Sequence, residues 1–150
     1  MPHLALVTIV VSDYDEAIDF YVHTLGFELL EDTPLDDHKR WVVVAPPGAR
    51  ETAVLLARAA TDQQRARIGD QTGGRVGWFL HTNAFDSDYQ RLRAAGVTFE
   101  ETPRHEPYGT VAVFRDVYGN RWDLLQLHRA VPLADALRRS SERNEHGSAG

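Results

Sequence analysis

Val11-Ser12-Asp13-Tyr14-Asp15-Glu16-Ala17-Ile18-Asp19-Phe20-Tyr21, closed by Leu25-Gly26-Phe27, is the stretch that decides how this chain folds. Residues 4–11 before it are apolar and β-branched and predict a buried strand. Ser12 and Asp13 offer N-cap oxygens, and Asp15 and Glu16 follow each at capping-box spacing. Tyr14, Ala17, Ile18, Tyr21 and Leu25 then recur at steps of three and four, which gives one helix face to a core. Gly26 stands where a left-handed residue ends such a helix. Residues 27–30, 40–45 and 52–57 read as three further strands, the last two joined by the turn Pro46-Pro47-Gly48.

The same order then returns. Residues 59–75 form a polar connector, with a short helix expected over 61–68 and a mobile loop over 69–74. Residues 76–82 predict a strand and Asn83 a cap. Phe85, Tyr89, Leu92 and Ala95 mark a helix face that Gly96 ends. Residues 97–101, 110–115 and 121–127 predict strands, with 117–120 as the last hairpin turn. A short helix over 133–139 and a frayed tail over 140–150 complete the chain. Leu25-Gly26-Phe27 answers to Ala95-Gly96-Val97, and Glu31-Asp32-Thr33-Pro34 to Glu100-Glu101-Thr102-Pro103. A strand–helix–strand–strand–strand unit is therefore used twice. Neither unit alone buries its helix and both sheet faces. The expectation is an α+β fold of two βαβββ modules, residues 1–58 and 76–128, whose eight strands form a curved cup. Residues 59–75 are the connector and 129–150 a C-terminal extension and tail.

Composition narrows the function. At 150 residues, 43% apolar and 25% charged, the chain matches an ordinary globular domain. A net charge of −6 and the lack of a basic, aromatic-interleaved stripe argue against nucleic acid as a partner. Without cysteine there is neither a disulfide framework nor thiolate chemistry. No apolar run approaches the roughly 18–20 residues of a membrane span, and the opening residues lack the basic and apolar regions expected of a signal peptide. A cytoplasmic location with no membrane partner is expected. The seven histidines form no H-x-H or H-E-x-x-H pattern, and no nucleophile-elbow or phosphate-binding loop appears.

The opening motif resembles the start of the vicinal oxygen chelate superfamily, the glyoxalase/bleomycin-resistance/extradiol-dioxygenase type: strand, acidic turn, A-x-x-F-Y helix and L-G-F. Phe114-Arg115-Asp116-Val117-Tyr118-Gly119-Asn120-Arg121-Trp122-Asp123-Leu124 is similar to its closing F-x-D-P-x-G-N-x-x-E-L segment. The resemblance covers about residues 4–128. It implies a small-molecule ligand, and a homodimer whose sites draw on two chains. Metal-using members take ligands from the first and last strands of each half. Those positions here fall on Leu6, Leu55, Gly77 and Asp123. One shortened acid among three non-coordinating residues does not hold a divalent ion. No cofactor is therefore expected, with a divalent metal held by His81 and Asp123 as the alternative, and a drug-sequestering, resistance-type binder is favoured. The rival implied by the resemblance is a lyase, isomerase or dioxygenase acting on vicinal oxygens.

Candidate site residues follow from strand alternation. Phe79 and His81 share a face with Gly77, and Arg121 shares one with Asp123. His81 and Asp123 are candidate acid/base groups. The plainer alternative has His81 meeting solvent and Asp123 paired to Arg121, Arg104 or Arg40. Thr8 faces with Leu6, and Trp41 either offers a ring to a flat or cationic ligand or packs in the core. Trp78 and Trp122 alternate toward the helix side. Arg104, His105 and Tyr108 lie in a loop expected at the mouth of the cup, where binding groups often sit.

Overall fold

A computed structural model describes residues 1–129 and 133–147. Among these residues nine strands form two mixed sheets. In the first, β1 (Leu6–Val11) pairs parallel with β4 (Ala53–Arg58), which pairs antiparallel with β3 (Arg40–Ala45), and β3 with β2 (Glu28–Pro34). Between β1 and β2, α1 (Tyr14–Ile18) runs directly into a π-helical segment, Asp19–Thr24. The connector carries α2 (Asp62–Arg65). In the second sheet, β5 (Trp78–His81), α3 (Phe85–Ala94), β6 (Thr98–Phe99), β7 (Arg104–Glu106), β8 (Gly109–Arg115) and β9 (Arg121–Leu127) follow. The spatial orders are β1-β4-β3-β2 and β5-β9-β8-β6, so the second half repeats the first, with β7 added on β8.

The expected loop at 104–109 is corrected: residues 104–106 are a strand. Pro103 has no N–H to give a ladder, so pairing along β8 breaks there into β6 and β7. The caps also differ between halves. Asp13 accepts the Glu16 N–H at 2.8 Å, as the capping-box spacing predicts. Asn83 does not cap α3. Its first N–H groups are met instead by Thr82 Oγ1, which accepts from Ala84, and by Gln126 Oε1 on β9, which accepts from Phe85 at 2.9 Å. The final helix, α4 (Leu133–Gly147), is longer than the expected 133–139 and takes up most of the supposed tail; residues 148–150 lie outside the described part. Strong helix formers such as Leu137, Arg138, Arg139 and Glu142 carry it onward. No helix among the described residues is long and apolar enough to cross a membrane.

The helix-facing sides of both sheets bury one continuous core. Ile9, Val11, Val42, Val44 and Leu56 from the first half join Phe85, Leu92, Ala112, Phe114 and Leu124 from the second. Trp122, almost fully buried, touches Tyr21 and Phe27 of the first half and stacks on Trp78 at 5.5 Å. The connector is strapped down as well, against the expectation of a mobile 69–74. Gln71 acts as a one-residue strand: its Nε2 donates to the Thr8 carbonyl and its Oε1 accepts the Val10 N–H at 2.9 Å, closing the free edge of β1. Gly69 has φ +74°, and a Cβ there would lie 2.0 Å from the Tyr118 carbonyl oxygen. Only glycine allows that approach.

Candidate ligand site

Strand alternation gives the first sheet two unlike faces. Ile9 and Val11 turn into the core, and Leu6, Thr8 and Val10 turn away from it. The register aligns Thr8 with Leu55 and Leu55 with Val43. Trp41, one step from the core residue Val42, lies on that outer face too. Leu6, Thr8, Trp41 and Leu55, all candidates from sequence, therefore share one surface. Over it lies a cavity of about 750 Å³, large enough for a drug-sized molecule. Thr8, Trp41 and Leu55 line it; Leu6 does not. The walls come from the turn before β3 and from the start of the connector. Every described lining residue falls between 8 and 65, and none of them comes from the second sheet.

The wall before β3 is held firmly. Arg40 turns to the helix side, where it meets Asp32 at 2.6 Å and Asp15 at 2.9 Å and lies over the Tyr14 ring. That guanidinium holds the Asp32 carboxyl below its ordinary value by hydrogen bonding. Asp36 accepts the backbone N–H groups of both His38 and Lys39 at 2.7 Å, which fixes the turn. Lys39 and Arg58 also line this cavity, and sequence reasoning missed both. A basic residue at either end of a strand carries no signal until a neighbouring wall encloses it.

The second sheet gathers a different set. Phe79 stands opposite Asp123, with His81 two positions further along β5. Arg104 lies opposite Val111, on the same face as Leu125 and Leu127. Phe79 is 59% exposed, unusual for an aromatic on a strand face. Asp123 Oδ1 and His81 Nε2 are both buried and without a hydrogen-bond partner among the described residues. Arg104 is taken by Glu101 and Glu106, and Arg121 by Glu100 and the Gly74 carbonyl. Neither arginine pairs with Asp123. His105 turns to the opposite face against Thr110, away from Arg104. Tyr108 sits in the β7–β8 turn, half exposed.

Burial raises the Asp123 pKa, with the Arg104 charge acting against it. A carboxyl raised in the folded state binds protons there more tightly than in the unfolded chain. Stability is then lost as pH climbs above the ordinary value of 3.8 and through the raised folded value. Asp123→Asn is expected to leave stability unchanged in acid below that window and to raise it at neutral pH. Urea midpoints taken across pH test this; a neutral-pH loss would contradict it.

The family's metal positions do not suit a metal here. Leu6 and Leu55 offer no ligand atom. A Cβ at Gly77 would lie 2.8 Å from Thr72 Cγ2, because the connector passes over it. A coordinating side chain at that point would displace the strap. Among the described residues no three His, Asp or Glu side chains come together as a metal-binding group.

A sequence-family model described as Glyoxalase/Bleomycin resistance protein/Dioxygenase superfamily matches residues 2–124. An uncharacterized protein of Shewanella frigidimarina (strain NCIMB 400) is 54% identical over 132 residues, covering 87% of this chain and 96% of that protein. The crystal structure of UcmS2 superposes with a TM-score of 0.74 at 35% identity, covering 83% of this chain and 98% of that one. TnmS3, an antibiotic binding protein from Streptomyces sp. CB03234, gives a TM-score of 0.69 at 37% identity over 85% and 97% of the two chains.

Proposed function

The chain belongs to the glyoxalase/bleomycin resistance protein/dioxygenase superfamily, and from that premise we propose that it binds and sequesters a small organic molecule on the outer face of its first sheet. The observation that carries this reading is the cavity itself: about 750 Å³ over an apolar floor with one indole and one hydroxyl, and with Leu55 at the family ligand position that lines it. Such a site holds a ligand by area and shape, with a few polar anchors for orientation. The likeness to an antibiotic binding protein supports it.

The working unit in this reading is a homodimer. Among the described residues the cavity is lined from the first half and the connector, while the second sheet carries an exposed Phe79 and an Asp123 oxygen without a partner, a face that calls for cover. A second copy laying its second sheet over the first supplies both. A rival reading, an enzyme, rests on one specific observation: Asp123 and His81 place two orphaned polar atoms on one face.

A thermal-shift screen of flat aromatic antibiotics, followed by mass spectrometry of each hit, separates the readings. The binder reading expects stoichiometric hits recovered unchanged, with light scattering giving twice the mass of one chain. Hits consumed over many turnovers would overturn it. In that case Asp123→Asn should abolish turnover while changing affinity little, and full turnover in the variant would remove Asp123 from acid/base work.

A further inference from the structure

The charge on the cavity wall says what kind of molecule fits, and this inference rests on the binding reading above. Four cations line the cavity: Lys39, Arg40, Arg58 and Arg65. Arg40 is neutralised by Asp15 and Asp32, and Arg65 by Asp62 at 2.6 Å. Neither Lys39 nor Arg58 is in an ion pair among the described residues. Asp36 is the only carboxylate among the described lining residues, and one of its oxygens already accepts two backbone N–H groups. Two cations thus face one engaged carboxylate, in a chain whose overall charge is −6. A local excess of positive charge beside an apolar floor favours a bound anion, and partial exclusion of water strengthens the attraction.

We propose that the ligand of this cavity is a flat aromatic anion, its ring against Trp41 and Leu55 and its carboxylate or phenolate met by Lys39 and Arg58. This reverses the cationic ligand that Trp41 alone suggests. An indole accepts a cation or a neutral ring equally well, and the wall charge decides between them. Thr8 gives the only hydroxyl on the strand floor and orients a ring substituent.

The test uses three probes of one shape: anthracene-2-carboxylate, its neutral carboxamide and the aminomethyl cation. Binding to the full chain is read by quenching of tryptophan fluorescence. The carboxylate is expected to bind about tenfold tighter than the amide, and the amine weakest. The preference should shrink as salt rises from about 0.05 to about 0.5 M. In the double variant Lys39→Met, Arg58→Met the carboxylate-to-amide ratio should fall toward one, with circular dichroism confirming the fold. Equal affinities for all three probes in the natural protein, or an undiminished ratio in the double variant, would overturn the anion assignment and leave the binding reading standing. No binding of any probe would overturn both.

Discussion

Asp116→Ala should destabilise the protein by about 3–5 kcal/mol, the largest effect expected of any single exchange considered. Asp116 is buried at the junction of the two halves. Its Oδ2 accepts the Tyr21 hydroxyl at 2.5 Å and the Asn120 amide at 2.8 Å. Its Oδ1 accepts the backbone N–H groups of Tyr118 and Asn120, both at 2.9 Å. Alanine would leave four donors unmet where water has little access. Burial, followed by the Asp116 charge, already pushes the Tyr21 phenol well above its ordinary pKa, so the hydroxyl stays a donor across the working range. Tyr21→Phe removes one bond of the four and should cost less, about 1–2 kcal/mol. Urea denaturation of both variants measures the pair. A loss under about 1 kcal/mol for Asp116→Ala would show that this network does not join the halves.

Trp41→Ala should behave in the opposite way, with a small change in stability and a large one in binding. Trp41 is partly exposed and lies on the ligand face, not in the shared core. Removing its ring takes away the largest contact area the cavity offers a flat molecule. Affinity for anthracene-2-carboxylate is expected to fall about 100-fold, the scale of an aromatic anchor at a binding hot spot. Stability should shift by less than about 1 kcal/mol, since a half-buried side chain leaves no closed void. Since Trp41 is itself a reporter, the comparison is made by the probe's own anisotropy. An unchanged affinity would move the ligand off the first sheet and toward the face that carries Phe79 and Asp123.

Much of the fold was legible because each half is built from local signals. Asp13 caps α1 as its spacing to Glu16 requires. Gly26 and Gly96 take positive φ after their helices. Alternation sent Trp78 and Trp122 to the core and Thr8 to the same face as Leu6; that Trp41 and Leu55 join that face was settled by the strand register. Where the reading failed, a distant residue had replaced a local one. Gln126 on β9 satisfies the start of α3 in place of Asn83, and no spacing within the helix announces it. His105, one position from Arg104, turns to the other face because residues 104–106 form a strand and not a loop.

The sequence alone determined the two repeated units and the apolar faces of their helices, since side-chain identity and a period of two or 3.6 fix these without reference to neighbours; that Leu6, Leu55 and Gly77 lack ligand atoms was read through the family resemblance. Only the tertiary structure decided that Lys39 and Arg58 line one cavity, that the connector closes the β1 edge through Gln71, and that Asp123 and His81 keep polar atoms unpartnered among the described residues. Those outcomes depend on contacts between segments far apart in the chain, and pairing, burial and charge balance across such distances come into being only when the chain folds.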